Sequence, residues 1–263
     1  MKIALIDSGI GLLAASAAVR RLRPDADLVL SFDPEGMPWG PRTPEGVTER
    51  ALAVAEAAAA RRPDALIIGC NTATVHSLPA LRARLEPGIP VIGTVPAIKP
   101  AAAGGGRVAI WATPATTGSA YQRGLITSFA DGVPVTEVPC WGLAEAVEHA
   151  DHAAVDAAVA AAAALTPDDV TSVVLGCTHY ELLAERIRAA VQPAGAAPVS
   201  LHGSAGAVAA QALRRVGARP APDAPATGTV TVLLNGREGG LPEAALGYAE
   251  ARLLRTASPA ASR

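Results

Sequence analysis

Leu66-Ile67-Ile68-Gly69-Cys70-Asn71-Thr72 and Val173-Val174-Leu175-Gly176-Cys177-Thr178-His179 are two versions of one stretch, with Cys177 falling 107 positions after Cys70. Each is a short apolar run closed by glycine and cysteine, and each leads into residues that open a helix. A run that is apolar at every position, not at every second one, reads as a strand buried on both faces. The same reading extends outward. Residues 3–7, 27–33, 65–70 and 90–94 are candidate strands in the first half of the chain. Residues 108–113, 133–140, 172–177 and 198–201 are their counterparts in the second. The two sets start at nearly constant offsets of 105 to 108 positions, and Lys2-Ile-Ala-Leu-Ile echoes Arg107-Val-Ala-Ile-Trp. Strands alternating with helical stretches, repeated once, predict an α/β fold of two pseudo-symmetric doubly wound domains with mainly parallel sheets. Residues 1–97 form the first domain, with 207–263 packing back on it, and 98–206 form the second. Residues 101–106 read as the hinge and 217–228 as a surface loop. A further strand at 228–235, a final helix at 242–256 and a loose tail at 257–263 complete the chain.

The chain has 263 residues, half of them hydrophobic, which is ample for a buried core and suits one large domain or two of moderate size. Its formal net charge is −2 and it carries no basic stripe, so a nucleic-acid partner is not supported. Alanine-rich residues 51–60 and 153–164 read as helices, too short to span a bilayer. The apolar N-terminus followed by Ala-Ala-Ser-Ala-Ala superficially resembles a secretory signal, but Asp7 interrupts the run, and a buried first strand is the better reading. Three cysteines in a chain of this length do not form a disulfide framework, which fits a reducing cytoplasm.

In open α/β sheets ligands bind beyond the carboxyl ends of the strands. Asp7-Ser8-Gly9, Cys70-Asn71-Thr72, Thr113 with Thr116, and Cys177-Thr178-His179 sit at such ends, two clusters from each half. If the halves face one another, two cysteines approach a shared crevice from opposite sides. Racemisation at Cα needs that arrangement: one group removes the proton from one face and another delivers a proton to the other. A thiol with an ordinary pKa of ~8.5 is brought toward thiolate by a helix N-terminus. Asn, Thr and Ser beside the cysteines offer neutral donors to a substrate carboxylate, while Asp7 and His179 can each assist one thiol. The plainer reading, a small buried hydrophobe, fits Cys140, which lacks such neighbours. Asp7, Thr113 and Thr116 could instead be helix caps. His76, His149, His152 and His202 lack a paired motif and read as solvated or capping. Pyridoxal chemistry requires a Schiff-base lysine; only Lys2 and Lys99 exist, and neither follows a phosphate-binding loop. Gly9-Ile-Gly11 is too short for a dinucleotide fingerprint. Cys70, Cys177, His179 and Asp7 could ligate zinc, but no close Cys-x-x-Cys or His-Glu-x-x-His supports it.

Ile6-Asp7-Ser8-Gly9-Ile10-Gly11, Pro38-Trp39-Gly40, Cys70-Asn71-Thr72-Ala73 and Gly176-Cys177-Thr178-His179-Tyr180 together resemble glutamate racemase, within the aspartate/glutamate racemase superfamily. The resemblance runs from residue 3 to about residue 210. It implies a cofactor-independent enzyme with no metal, which supplies D-glutamate for peptidoglycan. Homodimers are common in the family. Position by position, it implies that Cys70 takes the α-proton from the D-isomer with help from Asp7, and Cys177 takes it from the L-isomer with help from His179. Asp7, Ser8, Asn71, Thr72, Thr116, Thr178 and His179 would surround the α-carboxylate and amine. Trp39 and Gly40 would hold the side-chain carboxylate. Glu148 matches a family acidic residue near the site, its plainer reading being a solvated helix face. Two departures stand out. Leu12 replaces a family glycine and is expected to crowd the turn after the first strand. Trp39 replaces a tyrosine, which puts a donor-only indole where a phenol could both donate and accept. Competing readings are an aspartate or other acidic amino-acid racemase, a cysteine-dependent hydrolase or lyase, and a non-catalytic paralogue that binds a partner.

Overall fold

The computed structural model describes residues 1–192, 195 and 197–254. The chain separates into two compact units. Unit 1 comprises Met1–Thr94 and the chain from Ala205 onward, and unit 2 is Val95–Ser204. The first unit opens with β1 (Lys2–Asp7), α1 (Leu13–Leu22), β2 (Asp27–Phe32), α2 (Pro44–Ala59), β3 (Ala65–Ile68), α3 (Asn71–Leu85) and β4 (Val91–Ile92). The second holds α4 (Ile98–Ala103), β5 (Arg107–Ala112), α5 (Ala120–Phe129), β6 (Val135–Pro139), α6 (Leu143–Glu148), α7 (His152–Ala164), β7 (Val170–Leu175), α8 (Ala184–Val191) and β8 (Ser200–His202). The chain then returns to unit 1 with α9 (Ala205–Arg215), β9 (Val230–Leu234), β10 (Arg237–Gly239) and α10 (Ala249–Leu254).

The strand order is β10-β9-β2-β1-β3-β4 in the first sheet and β6-β5-β7-β8 in the second. The inner four strands of unit 1 therefore run in the same order as the four of unit 2, and all of these pairs are parallel. The apolar runs that read as doubly covered strands are buried along most of their length: β3 at all four positions and β1 at every position after Lys2. β9 joins the outer edge of β2 in parallel and β10 turns back antiparallel to it. This return is pinned by Arg20. Its guanidinium is buried and donates to the carbonyls of Pro24 and Ala26 at 2.9 Å each, and to Thr229 at 3.1 Å. Helix α1 is buried at every position from Leu13 to Arg20, because α9 and α10 cover the side that faces away from the sheet.

Several local readings are corrected. Residues 101–106 are not a hinge: Ala101–Ala103 end α4 and the glycines turn the chain into β5 inside unit 2. The unit boundaries fall instead at Thr94/Val95 and Ser204/Ala205. The final helix is broken into a 3₁₀ turn, Glu243–Gly247, and α10, with Tyr248 extended between them; its expected last residues and the tail at 257–263 lie outside the described residues. Helix α2 starts before the alanine run, at Pro44, because the Thr43 side chain caps it by accepting from the Gly46 N–H at 3.2 Å. Among the described residues no helix is long and apolar enough to cross a membrane.

Candidate active site

In unit 1 the residues singled out in the sequence collect at the carboxyl ends of β1, β2 and β3. Asp7 is the last residue of β1 and is 1% exposed. Its Oδ1 accepts the Ser8 N–H at 2.7 Å. On the neighbouring strand the pairing continues one step past β3, with the Gly69 N–H donating to Ile6 O at 2.8 Å, so Cys70 leaves the sheet beside Asp7. Gly69 is required there: a Cβ would lie 2.7 Å from the Leu12 Cβ and 2.9 Å from its Cα. Leu12 is thus not a crowded turn residue but a fully buried one, fitted into the space that Gly69 leaves. Cys70 is the N-cap of α3, in extended conformation (φ −129°, ψ 127°), with Asn71 and Thr72 in the first turn. The Cys70 carbonyl is fixed from below, accepting from the N–H and the Oγ1–H of Thr74 at 3.0 Å each. Thr74 Oγ1 in turn accepts the Thr94 N–H at 2.9 Å.

Unit 2 repeats the construction. The Gly176 N–H donates to Trp111 O at 2.8 Å, and Cys177 leaves the sheet with φ −133° and ψ 137°, within 10° of the Cys70 angles. A Cβ on Gly176 would lie 2.7 Å from Trp111 O. The two halves part beyond the cysteine. Cys177 caps a 3₁₀ segment, Thr178–Leu183, before α8 begins, so the regular helix expected directly after it starts one segment later. The tighter turn brings His179 back toward the thiol, with Cys177 Sγ to His179 Nδ1 at 3.7 Å. His179 Nε2 lies 2.8 Å from Glu148 Oε2 at the end of α6, and both side chains are largely buried. An ionised carboxylate can only accept, so Nε2 carries a proton. In the neutral ring Nδ1 is then the acceptor, suited to take the thiol proton. Thr113 and Thr116, at the exit of β5, bond to each other through their hydroxyls at 3.1 Å, and Thr178 is buried. The histidines outside this group behave variously. His76, His149 and His152 are exposed, His149 bonding to Glu145 O of its own helix. His202 is half-buried, 3.3 Å from Ser172 Oγ, and burial pushes its pKa down.

Cys140 sits at the exit of β6, where its N–H donates to Ala112 O, just as the Asp33 N–H donates to Asp7 O at the exit of β2. It is 2% exposed, and burial, reinforced by Cys177, pushes its thiol up to about 12. A buried thiol held that high is a poor nucleophile at pH 8. Alkylation at pH 8 followed by peptide mapping is expected to modify Cys70 and Cys177 and to spare Cys140. Labelling of Cys140 ahead of the other two would contradict the assignment.

In the segment Pro38-Trp39-Gly40 the indole turns away from solvent. The Trp39 indole is 1% exposed and packs in the core of unit 1 with Ile6, Val29, Val47 and Ala51. Its Nε1–H donates to Asp33 Oδ2 at 2.8 Å. Its side chain is therefore committed inward. Gly40 is exposed with open space around its α-carbon. Asp33, and Arg50 which pairs with it, were not singled out in the sequence. The one signal for Asp33 is a carboxylate closing the apolar run of β2, as Asp7 closes that of β1.

The model of the Asp/Glu/Hydantoin racemase family matches residues 13–218. The chain belongs to that family. The family match covers both cysteine exits and most of the chain. Glutamate racemase from Roseiflexus sp. (strain RS-1) is 38% identical over 192 residues, which are 71% of this chain and 70% of the relative. The Pseudomonas putida (strain W619) glutamate racemase is 34% identical over 222 residues, covering 82% of each. The crystal structure of Escherichia coli glutamate racemase in complex with L-glutamate and the activator UDP-MurNAc-ala superposes with a TM-score of 0.73 at 28% identity, covering 94% of this chain and 91% of that one. The structural match extends over nearly the whole chain, and the family is one of racemases.

Proposed function

We propose that this racemase interconverts L- and D-glutamate without a cofactor, using Cys70 and Cys177 as its two acid/base groups and supplying D-glutamate for peptidoglycan. The observation that carries the reading is the repeated strand exit. One Gly-Cys pair leaves β3 and another leaves β7, with nearly identical backbone angles at the two cysteines. The Roseiflexus and Pseudomonas relatives are glutamate racemases, and the Escherichia coli enzyme was crystallised with L-glutamate.

In the L-to-D direction the Cys177 thiolate takes the Cα proton, leaving a carbanion conjugated with the α-carboxylate. The Cys70 thiol then delivers its proton to the opposite face. The cycle ends with Cys177 protonated and Cys70 ionised, the state from which the D-isomer reacts. His179, oriented by Glu148, manages the proton of Cys177, and Asp7 that of Cys70. Charge that builds on the α-carboxylate is met by Ser8, Asn71, Thr72, Thr116 and Thr178, neutral donors that need no reorganisation. The N–H groups around Trp39 and Gly40 receive the side-chain carboxylate.

The test is racemisation of L-glutamate followed by circular dichroism, with no added pyridoxal phosphate and after exhaustive chelation. Full activity is expected, with aspartate a poor substrate because its carboxylate is one methylene short of the Trp39–Gly40 segment. A higher kcat/KM for aspartate, or activity that chelation abolishes and zinc restores, would overturn the reading.

A further inference from the structure

Asp33, just past the end of β2, is a carboxylate held by four hydrogen bonds, and the two-cysteine mechanism does not use it. It is 3% exposed. Arg50, from the second turn of α2, grips it in parallel, Nε to Oδ2 at 2.8 Å and Nη2 to Oδ1 at 2.6 Å. The Trp39 indole N–H adds a bond to Oδ2 at 2.8 Å, and the Gly36 N–H one to Oδ1 at 3.1 Å. Gly36 must lack a side chain for this to form, since a Cβ would lie 1.9 Å from Asp33 Oδ2 and 2.3 Å from Arg50 Nε. Arg42 Nε then donates to Gly36 O at 2.6 Å, and the Arg42 N–H to Trp39 O at 3.2 Å. The whole turn from Asp33 to Arg42 is stitched to one ion pair.

We propose that Arg50, acting through Asp33, is a positioning and specificity-determining residue that sets the Trp39–Gly40 segment for the side-chain carboxylate of the substrate. The inference rests on the proposed role of that segment in glutamate binding. Two effects combine in it. A bidentate guanidinium–carboxylate pair has a fixed planar geometry, which a point charge would not impose on the turn. Arg50 also neutralises Asp33. Without it, a buried anion would stand beside the segment that has to accept a second anion, and like charges at short range repel. The Trp39 indole extends the same latch: it turns inward and ties the segment to the ion pair.

The experiment compares kcat and KM for glutamate in the parent, Arg50→Gln and the Asp33→Asn/Arg50→Gln double variant, at a temperature well below each melting point. Arg50→Gln is expected to raise KM about ten-fold or more with kcat within about three-fold, since ground-state binding of a remote group is what it disturbs. The double variant, which removes the stranded carboxylate, is expected to return KM most of the way to the parent value. A lower melting temperature with unchanged KM, or a loss confined to kcat, would overturn the inference, as would a double variant with a KM no better than that of Arg50→Gln. Should Arg50→Gln fail to fold, Arg50→Lys keeps the charge but not the parallel bonds. Its KM is expected to rise by about three-fold or more, and an unchanged KM would count against the proposal. A parent that does not racemise glutamate at all defeats the substrate reading itself. A parent that does, with KM insensitive to Arg50, defeats the positioning role alone.

Discussion

Cys70→Ala and Cys177→Ala are each expected to lower kcat for glutamate racemisation by roughly a thousand-fold or more, in both directions, the upper range of what one acid/base group contributes. Both directions suffer in each variant because the proposed mechanism uses one cysteine as base and the other as acid in every turnover. The third thiol of the chain does not stand in for either. Within unit 2 the thiol nearest in kind is Cys140, which is buried and pushed up to about 12, so it does not supply a thiolate at neutral pH. His179 lies behind Cys177, with its Nδ1 3.7 Å from the sulfur and its other nitrogen held by Glu148. Cys140→Ala is the control and is expected to stay within about three-fold of the parent, since it removes a single buried sulfur distant in function from the proton path. An inactive Cys140→Ala beside an active Cys70→Ala would reverse the site assignment.

The second large effect concerns direction. Asp7→Asn is expected to lower kcat for D-to-L conversion by about a hundred-fold and to affect L-to-D conversion less, with the reverse for His179→Asn. The reason is placement. Asp7 ends β1 in unit 1, beside the strand that presents Cys70, whereas His179 follows Cys177 in unit 2. Each helper bears most on the step in which its own thiol acts as the base. The two enantiomers are equal in free energy, so kcat/KM must be the same in both directions for any variant, and only kcat at saturation reveals the asymmetry. Initial rates from each pure enantiomer measure it. Equal proportional losses of kcat in both directions, for both variants, would remove the assignment. Glu148→Gln should follow His179→Asn in direction with a smaller loss, because an amide can still accept the Nε2 proton but gives no charge to a developing imidazolium.

How much of the fold and the site is legible in the sequence depends on whether a signal is local. The strands are readable because burial on both faces leaves an uninterrupted apolar run, as in Ala65–Ile68 and residues 173–175. The duplicated topology is readable because the glycine before each cysteine is dictated by a close backbone approach, to Leu12 in one half and Trp111 in the other, and so recurs at a fixed register. Signals that depend on a distant partner are not visible. Nothing near Trp39 says that its indole N–H is spoken for by Asp33, or that Arg50, 17 positions after Asp33, completes the set. The glycines at 104–106 look like a hinge, yet a turn inside a domain needs the same residues. Gly105 and Gly106 have φ of +71° and +79°, a demand of the turn into β5. The 3₁₀ segment after Cys177 is hidden for a related reason: Thr178–Leu183 has the composition of an ordinary helical turn, and the tighter winding shows only in three dimensions.

The central claim, that two thiols share the proton transfer, is tested most directly by running the reaction on L-glutamate in deuterated water and stopping it early. Mass and NMR analysis of the separated enantiomers then locates the isotope. Two bases acting from opposite faces predict D-glutamate carrying deuterium at Cα, while the L-glutamate recovered at the same moment remains almost free of it. A single base that returns the proton it removed would leave the D-isomer largely unlabelled or spread deuterium evenly into the recovered L-isomer, and either result would contradict the account.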